Sequence, residues 1–337
     1  MSFIKENNAA GFILLNALMW GSSYIWSKLL IGYLPYYTIL FLYSFGGLLF
    51  LTVLFFRRLR KISKKTVLTG MAISIFSVLS NISCMMALGS TSSSNTAFIV
   101  QMSVVMTPMI MTFAEKKLPP LRSMISALTA VPGLLLLTVD FSSFRLNPGD
   151  LFALANALFF SLYLASQKLF TSKTDPAQFS FIQHVTSTVI FFGMAMIFDR
   201  NQTGLRNMDA VGYSVLLLSI LISVMTILIQ SSALRFVRPE RATVIYTLEP
   251  VTAAVLAYFV IGEGISGISA IIGCMLIITA VVITVPFRSV VKIGGAQQCI
   301  ASRSARQCII SRSERQRIAG RSERQHSPLK KEQYTTG

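Results

Sequence analysis

The chain has 337 residues, of which 53% are hydrophobic and only 13% charged, with a mean hydropathy of +0.64. A soluble domain carries about a quarter charged residues, so this composition excludes an ordinary soluble protein and puts most of the mass in a lipid bilayer. The net charge of +17 is not read as a nucleic-acid footprint, because eleven of the thirty Lys and Arg follow Phe287 in a polar tail and most others sit in short loops between apolar runs.

Ten segments have spanning length, near 11–31, 36–56, 67–88, 96–114, 121–140, 150–170, 179–198, 211–234, 242–262 and 265–285. About twenty apolar residues suffice for an α-helix to cross the roughly 30 Å hydrocarbon layer. The first run, "GFILLNALMWGSSYIWSKLLI", is too long for the apolar part of a signal peptide and reads as an uncleaved first span. Short connections favour a compact bundle of antiparallel neighbours.

In span one, Trp20 lies mid-span, away from the interfacial belt where tryptophan concentrates, beside Gly21 in a small-xxx-small pair with Ala17. It reads either as an aromatic wall of a cavity or as core packing. Tyr24, Tyr43 in span two, Phe160 and Tyr163 in span six, and Tyr246 in span nine carry the same pair of readings. Lys28 and Lys168 lie near span ends, where snorkelling to the headgroups accounts for them. Asn81 in span three and Gln230 in span eight either line a path or bridge helices. Gln183 and His184 enter span seven, and a lone histidine there reads first as interfacial.

Two spans contain an internal proline beside a polar group. In span four, Pro108 cannot donate to the carbonyl of Val104, and Gln101 lies one turn deeper. In span nine, "RATVIYTLEPVTAAVLAYFVIGE" places Glu249 just before Pro250, which frees the carbonyl of Tyr246. A charge at the centre of a span costs roughly 2.5–3.5 kcal/mol on insertion scales. Irregular backbone at that depth is tolerated inside protein or against a watery cavity, and half-broken helices are how carriers build binding sites. Glu249 therefore reads as a proton-exchanging or amine-recognising group, or else as a neutral acid that hydrogen-bonds Thr247 or a neighbouring span. Gln101 and Glu249 are 148 residues apart, the displacement that also relates Glu115 to Glu263 at the ends of the same two spans. They are expected to face each other.

Other features support a duplicated chain. Trp20 precedes Lys28 by eight residues, and Phe160 precedes Lys168 by eight. Five spans per copy is odd, so the second copy must be inverted. The expected fold is an all-α membrane protein of ten transmembrane helices in two inverted five-helix repeats, 11–140 and 141–286, after a cytosolic N-terminus 1–10. Inverted repeats are the architecture of secondary transporters, with the substrate site near the midplane.

Basic residues set the orientation. With the N-terminus inside, cytosolic loops hold 14 Lys and Arg, including six in "RRLRKISKK", against 3 in the opposite loops, Arg145, Arg200 and Arg206. Both termini are then cytosolic. The tail, 287–337, carries a nine-residue repeat starting at Arg303, Arg312 and Arg321, too polar to bury a core and expected to be disordered. It either attracts anionic inner-leaflet lipid or is a tandem expansion without a task. Four cysteines show no metal-binding spacing, and no cofactor or metal is expected.

The stretches "NALMWGSSYIWSKLLI", "SNTAFIVQMSVVMTPMI" and "RATVIYTLEPVTAAVLAYFVIGE", in this order and spacing over residues 11–286, resemble the drug/metabolite transporter superfamily, and within it the EamA-type ten-span branch. The resemblance implies a carrier with a central cavity and no bound cofactor, for amino acids, other metabolites, sugars, nucleotides or drugs. Many relatives have an arginine in span two where this chain reads "LFLYSFGG", with Tyr43. The expected function is movement of a small organic solute across the cytoplasmic membrane by alternating access, in the export direction, with protons as a candidate coupling ion. A membrane-embedded enzyme is the rival, with only His184 and His326 and no HExxH to support it. A non-transporting scaffold whose tail recruits a partner is the other.

Overall fold

A computed structural model of the chain describes residues 4–90, 96, 99–138, 148–171, 174–199, 208–260 and 267–284. The expected disorder of the tail, the three basic residues of the opposite loops, Lys173 and Glu263 fall outside the described residues.

All regular structure among the described residues is helical. The helices are α1 Ala9–Ile31, α2 Tyr36–Leu59, α3 Lys64–Ser90, α4 Ser103–Glu115, α5 Leu121–Thr138, α6 Pro148–Thr171, α7 Pro176–Phe198, α8 Ala210–Ala233, α9 Pro239–Tyr246, α10 Leu248–Val260 and α11 Gly267–Thr284. In hydrocarbon an α-helix satisfies its own backbone polar groups, and these apolar runs adopt it throughout. Six stretches are long and apolar enough to cross a membrane: α2, α3, α6, α7, α8 and the pair α9–α10 taken together. Shorter apolar helices lie within 103–115, 121–136 and 271–284. At 23 residues α1 has spanning length, but it mixes Asn16, three serines and Lys28 among its apolar residues.

The packing has a repeating logic. α1 lies against α8 and α10, while α6 lies against α3 and α4. α2 packs along α7, and α5 along α11. Where backbones meet, small residues allow the approach. A Cβ on Gly21 of α1 would stand 2.7 Å from the Glu249 carbonyl oxygen and 2.6 Å from the Thr252 Cβ. On α5, a Cβ at Gly133 would meet the Gly273 carbonyl of α11 at 2.9 Å. Each contact is closed to any larger residue, because a packed core does not absorb added methyls without shifting.

Polar ties hold the α2–α7 pair at both ends. Thr38 donates its backbone N–H and its hydroxyl to Asp199 Oδ2 at 2.6 and 2.8 Å, satisfying a free amide in the first turn of α2. At the opposite end, Asp175 caps α7 by accepting from the Ala177 N–H at 2.9 Å, and Gln178 donates to the Arg58 carbonyl at 3.0 Å. α5 and α11 are joined by a bond from the Arg122 guanidinium to the Ile283 carbonyl.

Candidate functional site

The interrupted spans position the site. α9 ends at Tyr246 and α10 begins at Leu248, with Thr247 between them donating its N–H to the Val244 carbonyl at 3.3 Å in a tightened turn. Pro250 sits in the first turn of α10 and cannot donate to Tyr246, so the break falls one turn before the proline. On the partner span the backbone turns at Gln101 and Met102, where Val104 N–H bonds the Gln101 carbonyl at 2.9 Å. Pro108 lies within the continuous α4, so the opening is not at the residue that the proline alone indicates.

Gln101 and Glu249 meet at these breaks. Gln101 Nε2 donates to Glu249 Oε2 at 3.0 Å, both side chains being buried. Tyr24 lines the same cavity as this carboxyl and lies within its electrostatic reach. The Thr247 hydroxyl, a partner considered from the sequence, instead donates to the Val244 carbonyl at 2.6 Å. Glu249 also occupies the first turn of α10, where the free backbone N–H groups of a helix favour negative charge.

A cavity of about 120 Å³ opens beside the carboxyl. A water needs roughly 10–15 Å³ measured this way, so the space takes several waters or one small organic body. Trp20, Tyr24, Tyr43, Asn81, Phe160, Tyr163, Gln183 and Glu249 all line it. Trp20 meets Phe160 edge-on at 6.2 Å, and Phe160 lies 6.4 Å from Tyr163, so aromatic faces form a continuous wall. The indole N–H of Trp20 is buried and finds no acceptor among the described residues. Asn81 donates to the Ser77 carbonyl of its own helix at 2.7 Å.

The cavity has contributors that polarity alone did not single out. Ser23, Ser27, Ser77, Ser80, Ser219, Ser223, Thr226, Cys84 and Asn156 share its lining. Ser27 and Tyr43 are within hydrogen-bond reach across α1 and α2, at 3.3 Å. Asn156 donates to the Ser80 carbonyl and hydroxyl at 2.6 and 3.0 Å, tying α6 to α3. A mid-span amide was the available signal for Asn156, the same signal that singled out Asn81.

Gln101, Gln230 and Tyr246 do not line the cavity. Gln101 stands behind Glu249. Tyr246, fully buried, accepts from Asn16 at 3.0 Å and donates to Gln230 Oε1 at 3.2 Å. Gln230 donates to Gln167 at 3.0 Å, and Gln167 to Ser231 at 2.9 Å. These residues form a buried polar network, and a second one in the cavity wall runs from Tyr163 to Gln183 at 2.7 Å and from Gln183 to Ser77 at 2.8 Å. Ile13, Ala17, Phe179, Leu234 and Ile245 pack together with Tyr163 and Tyr246 in one core cluster.

Two sequence expectations change. His184 is not interfacial: it is buried against Gly47 of α2, and its Nδ1 bonds the Ser180 carbonyl at 2.8 Å. Lys168 does not simply snorkel, because its ammonium donates to the Leu234 and Arg235 carbonyls at 2.9 and 3.0 Å, closing the C-terminal end of α8. Nearby, Arg238 bridges Glu115 and Glu240, each at 2.8 Å.

The EamA-like transporter family profile matches this chain twice, over residues 7–139 and 147–285. A crystal structure of a protein is similar in fold, with a TM-score of 0.65 and 14% identity over 82% of this chain and 96% of that one. At that identity the likeness speaks to the fold alone. No curated protein sequence matches the chain.

Proposed function

From its membership of the EamA-like transporter family, to which this chain belongs, we propose that the protein moves a small organic solute through the central cavity by alternating access, as an exporter of the cytoplasmic membrane. The observation that carries this reading is the cavity itself. It is walled by helices from both family matches, holds a carboxyl beside a broken helix, and includes the hydrogen-bonded Tyr163, Gln183 and Ser77 in its wall. Protons bound and released at Glu249 are the proposed coupling.

The proposed architecture is ten spans in two inverted five-helix repeats, 11–140 and 141–286, with both termini cytosolic. Its support is the packing. Exchanging α1 with α6, α3 with α8, and α4 with α9–α10 turns the α1–α8 and α1–α10 contacts into the α6–α3 and α6–α4 contacts. The lining residues fall in the C-terminal halves of α1 and α3 and the N-terminal half of α2, but from Ile222 to Ile227 in the C-terminal half of α8 and at Gln183 in the N-terminal half of α7, which places the proposed site near mid-depth. In the proposed orientation Arg238 lies on the cytosolic side.

Cysteine accessibility tests both points in a chain whose four native cysteines are replaced. An impermeant thiol reagent on intact cells should label Thr203→Cys and spare Ser63→Cys. Ser63 labelled and Thr203 spared would reverse the orientation. Ser223→Cys in the cavity wall should react from outside in cells and also from the cytosolic side in inverted vesicles. Reaction from one side alone would mark a static scaffold.

A further inference from the structure

Resting on the reading of the cavity as a carrier's substrate site, we propose that the solute is a small organic monocation, a primary or quaternary ammonium on an aromatic or aliphatic body, and that anions and zwitterions are excluded. Among the described lining residues Glu249 is the acid, and none is lysine or arginine. The nearby cations are held elsewhere. Lys168 is engaged by the Leu234 and Arg235 carbonyls, and Arg238 by Glu115 and Glu240. The titratable groups that feel the Glu249 charge are Tyr24 on α1, Cys84 on α3 and Tyr246 on α9. Phenols and thiols are ordinarily uncharged at neutral pH. Among the described residues, no side chain packed around the carboxyl therefore carries a counter-charge.

What surrounds it instead is suited to a guest cation. Gln101 donates to the carboxyl at 3.0 Å, which occupies a lone pair without balancing an ion's charge. Gly21 packs on the Glu249 backbone, and the adjacent Trp20 lines the same cavity as the carboxyl. Trp20, Tyr24, Phe160 and Tyr163 line the same space, and aromatic rings attract ammonium groups within about 6 Å of their faces. An anion entering this space meets the Glu249 carboxyl and no lysine or arginine in the described lining. A zwitterion pairs its amine with Glu249 but leaves its own carboxylate to neutral donors such as the Trp20 indole N–H, with no lysine or arginine in the lining to balance it. The first turn of α10, one place where a helix could hold that carboxylate, is already occupied by Glu249.

A series with one aromatic body and four charge states separates the possibilities. The probes are phenethyltrimethylammonium, 2-phenylethanol, phenylalanine and phenylacetate, titrated into purified full-length protein by calorimetry and thermal shift. The ammonium should bind at least about tenfold more tightly than the other three. Glu249→Gln should weaken it by at least about tenfold while leaving the alcohol within about twofold. Trp20→Leu, as a second variant, should weaken the ammonium more than the alcohol. Equal or tighter binding of alcohol, zwitterion or anion overturns the cation assignment and leaves the carrier reading intact. Binding of none of the four also overturns it, and the carrier reading then rests on solute redistribution in cells.

Discussion

Glu249→Gln is expected to abolish transport, by about tenfold or more, while leaving the fold in place. Glutamine keeps the side-chain length and still offers an oxygen to Gln101 Nε2, whose bond to the native carboxyl is 3.0 Å. It cannot ionise, so it removes proton exchange and pairing with a cation in one step. Thermal unfolding in detergent should therefore match the native protein closely. Glu249→Leu is the contrasting variant, because it leaves the buried Gln101 amide without an acceptor. That loss should cost about 1–3 kcal/mol of stability. If the glutamine variant transports at the native rate and the leucine variant is merely less stable, Glu249 is a packing strut.

The second large effect is expected at the Arg238 ion-pair cluster. Glu240 is only 1% exposed and depends on Arg238, which Glu115 also holds. Arg238→Gln leaves the Glu240 carboxylate without its cation, at an expected cost of about 1–3 kcal/mol, toward the low end because the guanidinium is partly solvated. Glu240→Gln in the same chain removes the stranded charge and should recover most of the loss. The contact is insensitive to accessible pH. Glu240 first, with Glu115, holds the guanidinium above the ordinary arginine range. A raised folded value means that its stabilisation is fully present below the unfolded value and is lost only as pH climbs through the folded one. Thermal unfolding of the single and double variants checks this, and no loss in the single variant would show that the cluster bears no strain.

Much of the scaffold was legible because lipid imposes one rule on every span. Long apolar runs must be helical, and the helices Tyr36–Leu59, Pro148–Thr171 and Ala210–Ala233 fall within a few residues of the runs read from composition. The Gln101–Glu249 contact was legible for a different reason, since a shared displacement of 148 residues put both at equivalent places in the duplicated chain. Proline was a weaker guide. It shows which carbonyl loses its donor but not where the backbone opens, and Pro108 stays inside a continuous helix. The serines of the wall were silent because hydroxyls in membrane helices commonly return their bond to their own backbone. Ser44 and Ser74 do this away from the cavity. His184 was misplaced because its burial depends on Gly47, far away in sequence, leaving room on the facing helix.

The most direct test of a solute carrier with Glu249 at its working centre is metabolite profiling of cytosol and medium. Cells expressing the native chain are compared with cells expressing Glu249→Gln at equal membrane abundance. The expected result is at least one small organic solute depleted inside and enriched outside with the native chain, and not with the variant. Identical solute distributions in the two cultures and in cells lacking the protein would contradict it.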